Sequence, residues 1–134
     1  MIGRVFGSQF TRYCLVGAIG FMLDAGVLQL LAVFTSIDLY MGRVISYLFA
    51  ATGTWLLNRH FTFSNRKTVR LHSEWSYYVT LNAIGGGINY GAYAFCLLMF
   101  ETVRAWPVLG VAIGSTIGLV VNFTTNKYWV FRTA

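Results

Sequence analysis

Charged side chains are scarce in this chain. Only 10% of its residues are Asp, Glu, Lys or Arg, and just four of these are acidic, whereas soluble domains carry roughly 25% charged residues. A hydrophobic fraction of 57% and a mean hydropathy of +0.62 accompany this deficit. Such a composition excludes an ordinary soluble domain and indicates a protein that is surrounded by lipid.

Residue patterns that carry covalent or metal chemistry are also missing. Cys14 and Cys96 lie inside apolar stretches without CxxC spacing, and His60 and His72 are single and separated. The sequence therefore predicts no metal site and no cofactor. It also contains no nucleophile with a base and an orienting partner, no phosphate-binding GxxxxGK[ST] loop and no paired carboxylates. We predict no catalytic residues and a protein that is not an enzyme.

Four apolar stretches are each close to the roughly 17–25 residues that cross a hydrocarbon core. They cover Tyr13–Phe34, Gly42–Leu57, Tyr77–Phe100 and Pro107–Phe123. The second and fourth are expected to continue as helix to Phe63 and Phe131, because aromatic residues suit the headgroup interface. The first is too long for the core of a signal peptide, so we expect a retained anchor. Since the connections are brief, we predict a single integral membrane domain over residues 1–134.

The chain also repeats itself. A shift of 65 residues aligns Tyr13 with Tyr78 and Asp24 with Asn89. A shift of 68 aligns Gly42, Ser46, Ala50, Thr54, Asn58, Arg59, Phe61 and Phe63 with Gly110, Gly114, Gly118, Asn122, Asn126, Lys127, Trp129 and Phe131. We therefore predict an all-α membrane protein of four transmembrane helices, built from two tandem two-helix repeats over about 10–63 and 75–131.

Lys and Arg residues are distributed unevenly along this arrangement. Two of the ten, Arg43 and Arg104, fall on one side of the membrane. The other side holds Arg4, Arg12, Arg59, Arg66, Lys67, Arg70, Lys127 and Arg132. The positive-inside rule then places both termini in the cytoplasm and gives the two repeats a parallel orientation. The net charge of +6 follows from these juxtamembrane positions, so we predict no nucleic-acid partner.

Small residues form a GxxxGxxxG row at Gly110, Gly114 and Gly118, and such rows are typical of close helix packing. Its counterpart one repeat earlier holds Gly42, Ser46 and Ala50. Four residues further on, the two rows continue as Thr54 then Asn58, and as Asn122 then Asn126. The predicted helix contact thus becomes polar toward the cytoplasm, where it is suited to a polar headgroup.

Asp24 lies about eleven residues into the first stretch, which is roughly 16 Å deep at a rise of 1.5 Å per residue. A carboxylate at that depth is costly and is a functional hypothesis by default. The alternative is an acid that joins helices by hydrogen bonds to Asn82, Asn89 or Asn122. Both interpretations stay open from the residues alone.

Arg59 and Lys127 are repeat-equivalent, and Arg12 is expected at the same level. Either of the first two alone is explained by the negative end of its helix dipole. Together, beside the starts of the first and third spans, the three cations predict a site for a phosphate or diphosphate at headgroup depth.

The segments Asn58–Phe63 and Asn126–Phe131, with Arg12-Tyr13 to Gly17 and Asp24 in the first span, resemble the GtrA-like family of small four-span membrane proteins. Members are implicated in moving polyprenyl-phosphate-linked sugars across the bacterial inner membrane, beside a membrane glycosyltransferase. The resemblance implies phosphate-facing roles for Asn58, Arg59, Asn126 and Lys127, and a translocation role for Asp24.

We accordingly predict a translocator of a polyprenyl-phosphate-linked sugar, with undecaprenyl phosphate as the expected carrier and the bacterial inner membrane as its location. The phosphate docks between Arg12, Arg59 and Lys127, and the sugar passes Asn122, Asn89 and Asp24. The expected partners are the lipid, a membrane glycosyltransferase and further copies of the chain. One alternative is a subunit that anchors the transferase without transporting. Another is a small multidrug exporter, which the uneven charge distribution opposes.

The predicted topology is testable by labelling single cysteines from either side of the membrane. Ser73 and Thr133 should be reached from the cytoplasm, and Ser36 and Thr102 from outside, because of the Lys and Arg distribution. Labelling of Ser36 and Ser73 from the same side would contradict the four-span arrangement.

Overall fold

The computed structural model describes residues 2–66 and 70–131. Lys67 and Arg132, which enter the charge distribution, and Thr133, which enters the labelling experiment, lie outside the described residues.

Five α-helices and two π-helices form the described part of the chain. The α-helices are α1 (Ile2–Phe34), α2 (Leu39–Leu57), α3 (Leu71–Met99), α4 (Glu101–Ala105) and α5 (Pro107–Thr125). The first π-helix, Asn58–Thr62, continues α2, and the second, Asn126–Val130, continues α5. The all-α prediction is confirmed for these residues. The short helix α4 lies where the sequence suggested only a connection.

Two helical segments are long and apolar enough to cross a membrane by themselves. They are Gly7–Phe34 and Val108–Val130, with mean hydropathies of 1.9 and 1.7. They contain most of α1, and α5 together with the second π-helix. The membrane character of the chain therefore rests on these two segments, and spanning by α2 and α3 stays a prediction.

The α-helices pack as two hairpins. The first hairpin consists of α1, α2 and the first π-helix, and the second of α3, α4, α5 and the second π-helix. We call the end with the start of α1 and both π-helices the terminal end, and the opposite end the loop end. Small residues let the paired helices approach: a Cβ at Gly114 would lie 2.6 Å from the carbonyl oxygen of Asn89. The predicted small-residue rows thus lie at helix contacts.

Aromatic side chains form the core of the bundle at the terminal end. Phe63 and Phe131 are completely buried, and their rings stack with centroids 5.0 Å apart and planes inclined by 14°. Around this pair pack Tyr13, Ala51, Trp55, Tyr78, Phe123 and Val130. The stacked rings come from different hairpins, so this core joins the two.

Each π-helix is a wider helical turn that ends immediately before one of these phenylalanines. The amide nitrogen of Phe63 donates to the carbonyl of Asn58 at 2.8 Å, and that of Phe131 to Asn126 at 2.7 Å. Helix was predicted over both segments, but as a continuation of the α-helix. Each π-helix adds one residue to its last turn, and π-turns of this kind are frequent at functional sites.

Two buried Tyr–Asn hydrogen bonds tie the hairpins together. Asn126 Nδ2 donates to the Tyr13 hydroxyl at 2.7 Å, and Asn58 Nδ2 donates to the Tyr78 hydroxyl at 3.1 Å. The two asparagines are 0% and 1% exposed. Each hairpin therefore supplies the tyrosine that satisfies the buried amide of the other.

Asn126→Ala should destabilise the protein by about 1–3 kcal/mol, because it removes a buried amide and leaves its partners short of a hydrogen bond. Thermal unfolding in detergent would measure the loss. Thr124→Ala is the control, since that exposed hydroxyl bonds only to the Val120 carbonyl of its own helix. Equal unfolding temperatures for the two variants would contradict the role given to Asn126.

Candidate functional site

A polar cleft of about 210 Å³ lies between the hairpins, roughly halfway along the bundle. We call it the central cleft. It is lined by Gly20, Phe21, Asp24, Tyr47, Ala50, Ala51, Thr54, Tyr78, Asn82 and Asn122. Asp24 and Asn122, two of the three residues predicted to lie along a translocation path, thus share one cavity.

Asn89, the third predicted path residue, lies elsewhere. It lines a groove of about 240 Å³ between α3 and α5, together with Tyr93, Val111 and Ser115 among others. Its side chain packs on the small-residue row of α5, where a Cβ at Gly118 would come within 2.8 Å of the Asn89 Cβ. The structure therefore separates Asn89 from the cleft that holds Asp24 and Asn122.

Asp24 is held by two residues of α2. Arg43 Nη1 donates to Asp24 Oδ2 at 2.6 Å, and Ser46 Oγ donates to Asp24 Oδ1 at 2.7 Å. Residues three apart share a helix face, so Arg43 and Ser46 reach the same carboxylate. The asparagine partners suggested by the sequence are replaced by an ion pair and a hydroxyl of the same hairpin.

The floor of the central cleft is closed toward the terminal end by polar contacts. The Tyr78 hydroxyl donates to Thr54 Oγ1 at 2.9 Å, and the Tyr13 hydroxyl donates to Asn82 Oδ1 at 3.4 Å. Asn122 Oδ1 is buried without a hydrogen-bond partner among the described residues. This oxygen lies against Gly85 of α3, where a Cβ would come within 1.7 Å of it.

Arg12 lines a second cavity, at the terminal end. This pocket of about 400 Å³ is formed by Arg4, Ser8, Gln9, Arg12, Thr62, Ser64 and Asn65, and we call it the arginine pocket. Arg12 Nη1 donates to the Phe61 carbonyl at 3.1 Å, and its guanidinium lies 5.1 Å from the centre of the Phe61 ring. These contacts fix Arg12 against the first π-helix while the side chain stays exposed.

Arg59 has a buried anionic partner from the other hairpin. Its guanidinium forms an ion pair with Glu74, and Trp55 Nε1 donates to the same carboxylate oxygen at 3.0 Å. The Glu74 side chain is completely buried. Arg66, in the connecting loop, also contacts Arg59, because it donates to the Arg59 carbonyl at 2.7 Å. Burial, and then the neighbouring Arg59 charge, lowers the pKa of Arg66.

Lys127 lies close to aromatic rings. Its ammonium is 5.8 Å from the ring centres of both Phe123 and Tyr128. Of the other two cations predicted at one phosphate, Arg12 contacts Phe61 and Arg59 pairs with Glu74. Asn58 and Asn126, predicted to face the same phosphate, have their amides in the tyrosine contacts of the core.

Sequence reasoning missed three residues that shape these sites. Arg43 received only a topological role from the sequence, and Glu74 and Gln9 received no role. A useful signal was available for the first two, because only four acidic residues occur in the chain and a buried acid needs a cationic partner. Gln9 is only 8% exposed, and its position on the wall of the arginine pocket became visible only in the structure.

A helical membrane protein whose two hairpins enclose a polar cleft is the class that these observations define. The family follows from comparison with known proteins. Residues 12–101 match the model of the GtrA/DPMS transmembrane domain. Because the match covers more than half of the chain, the protein belongs to this family.

A curated relative extends the similarity to nearly the whole chain. The bactoprenol-linked glucose translocase of Shigella flexneri is 25% identical over 133 residues, which are 98% of each protein. The name of that relative specifies a lipid-linked sugar as its cargo.

Arg59→Gln should cost about 3–5 kcal/mol of stability, because Glu74 would stay buried without its cation. Adding Glu74→Gln removes both charges and should recover most of the loss. Thermal unfolding in nanodiscs would measure both effects. Arg104→Gln is the control, since its ion pair with Glu101 is exposed and should contribute about 0–1 kcal/mol. If Arg59→Gln unfolds like Arg104→Gln, Arg59 and Glu74 do not depend on each other.

Proposed function

We propose that this protein translocates a polyprenyl-phosphate-linked sugar across the bacterial inner membrane, with undecaprenyl phosphate as the carrier. The central cleft is the observation that carries the proposal. Its walls combine Asp24, Thr54, Asn82 and Asn122 halfway along a bundle that exposes many large apolar side chains. Sugar hydroxyls need such donors and acceptors in a membrane interior, while a polyprenyl chain needs only lipid. The name of the Shigella flexneri relative supports this cargo.

The proposed architecture is one domain of four spans with both termini in the cytoplasm, in two parallel repeats over about 10–63 and 75–131. Matched features at equivalent positions support it: both π-helices begin at an asparagine, and both asparagines bond a tyrosine of the other hairpin. The stacked rings of Phe63 and Phe131 are equivalent as well. Under this topology the terminal end faces the cytoplasm.

The arginine pocket is the proposed docking site for the phosphate on the cytoplasmic side. Arg12 lines it with Arg4, and two guanidinium groups suit the oxygens of a phosphate. Hydroxyls and amides of the pocket walls add hydrogen-bonding capacity. The buried acceptor of Gln9, which has no partner among the described residues, is suited to a sugar hydroxyl of the same lipid.

The sugar then has to pass the closed terminal end. Among the described residues, hydrogen bonds between the hairpins reach no further along α3 than Asn82. We propose that rocking of the hairpins breaks these contacts and joins the arginine pocket to the central cleft. Separation would free Arg59 from Glu74, so that Arg59 and Lys127 can contact the phosphate as predicted from the sequence. Asn58 and Asn126 would be exposed in the same step.

Transport is tested with purified protein in liposomes that contain a labelled polyprenyl-phosphate sugar, by exposure of the sugar to a reagent outside. Arg12→Ala should lower binding and transport about tenfold or more, the loss expected for one charge-assisted hydrogen bond. Arg104→Ala is the matched control, because that exposed guanidinium contacts carbonyls and Glu101 at the loop end, away from the arginine pocket.

Three outcomes separate the functions considered. Sugar exposure by the chain alone would eliminate a subunit that only anchors a glycosyltransferase. Exposure that requires the transferase would favour the anchoring function. Equal transport by Arg12→Ala and the wild-type chain would overturn the arginine pocket as the docking site.

A further inference from the structure

The ion pair between Arg43 and Asp24 lies on the side of the central cleft that faces the loop end. Asp24 is ten residues before the end of α1 at Phe34, which corresponds to about 15 Å along the helix. Its side chain is 18% exposed, whereas that of Arg43 is 60% exposed. The acid is thus partly enclosed, while its cation remains accessible.

Asp24 keeps one hydrogen bond when Arg43 leaves this pair. Ser46, which is completely buried, donates to the second carboxylate oxygen at 2.7 Å and holds Asp24 in place. Arg43 bonds Asp24 through Nη1, and a guanidinium has five N–H donors in all. An anion that reaches the exposed side of Arg43, next to the cleft residue Asp24, can therefore engage the guanidinium before the ion pair breaks.

The second hairpin shows that helix packing does not require this ion pair. Position 89, equivalent to Asp24, is Asn, and position 111, equivalent to Arg43, is Val. Asn89 and Val111 line the same groove, and α3 and α5 pack closely around Asn89. Both charges are absent together from the second copy, and the hairpin forms without them. A structural requirement therefore does not explain why the first hairpin keeps two charges at a costly depth.

We propose that Arg43 is the receiving site for the phosphate on the loop side of the cleft, and that Asp24 is its resident counter-ion. The phosphodiester of a polyprenyl-phosphate sugar is an anion, and it exchanges with the Asp24 carboxylate at the Arg43 guanidinium. Asp24 holds Arg43 over the cleft between transport cycles, and its own negative charge helps release the product. This inference rests on the proposed function and names the residues of its second half.

The double variant Asp24→Asn with Arg43→Val tests it, because it gives the first hairpin the pair that the second already has. The double variant should unfold near the wild-type temperature. It should also still bind the lipid at the arginine pocket. Transport should fall about tenfold or more, since the charge-assisted contact is lost. Ser46→Ala is a companion variant. Because it retains Arg43, it should reduce transport less than the double variant does.

The outcomes are distinguishable. If the wild-type chain transports and the double variant transports equally well, the receiving site is overturned and the proposed function stands. Absence of transport by the wild-type chain overturns both. If the double variant fails to fold, Arg43→Lys decides the matter, because it keeps the ion pair but replaces the planar donors of arginine. Reduced transport by Arg43→Lys supports the receiving site, and unchanged transport overturns it.

Discussion

The satisfaction of buried polar groups between the two hairpins is the constraint on which the rest of this structure depends. A bundle in lipid gains little from apolar contact between helices, because lipid is as apolar as the helix faces. Interlocking aromatic rings, Tyr–Asn hydrogen bonds and the Arg59–Glu74 pair hold the terminal end instead. Each of these contacts joins the first hairpin to the second, so the hairpins can separate only if all of them break together.

The concentration of these contacts at one end leaves room for the central cleft. Packing within each hairpin is continuous because small residues line α2 and α5, whereas the hydrogen bonds between the hairpins, among the described residues, lie in the terminal half. A cavity between two rigid hairpins that are fastened at one end has the geometry that alternating access needs. The proposed rocking motion therefore requires the contacts between the hairpins at the terminal end to change. It requires little change inside either hairpin.

The two hairpins differ more in their charged residues than in their shape. Equivalent positions carry Asp24 and Arg43 in one hairpin and Asn89 and Val111 in the other. The buried acid Glu74 likewise lies on the second hairpin and pairs with Arg59 of the first. The two hairpins thus share a framework and differ in the charged residues that they carry.

Much of the fold could be predicted from sequence, because composition and spacing act locally. Scarce charge indicated lipid, the apolar stretches indicated helices, and the repeated asparagines marked the two segments that became π-helices. The helical continuation was expected there, but its π form was not. Phe63 and Phe131, which directly follow the two π-helices, stack across the hairpins, and no single segment encodes that contact.

The sequence by itself determined the solvent, the helical class and which residues are unusual for their depth, since these follow from residue type and position along one helix. Only the tertiary structure decided their partners. Asp24 meets Arg43 rather than an asparagine, Arg59 meets Glu74, and Arg12 alone of the predicted phosphate ligands lines the arginine pocket. The physical reason is that a side chain finds its partner through the rotation and offset of neighbouring helices, and packing over the whole bundle sets both.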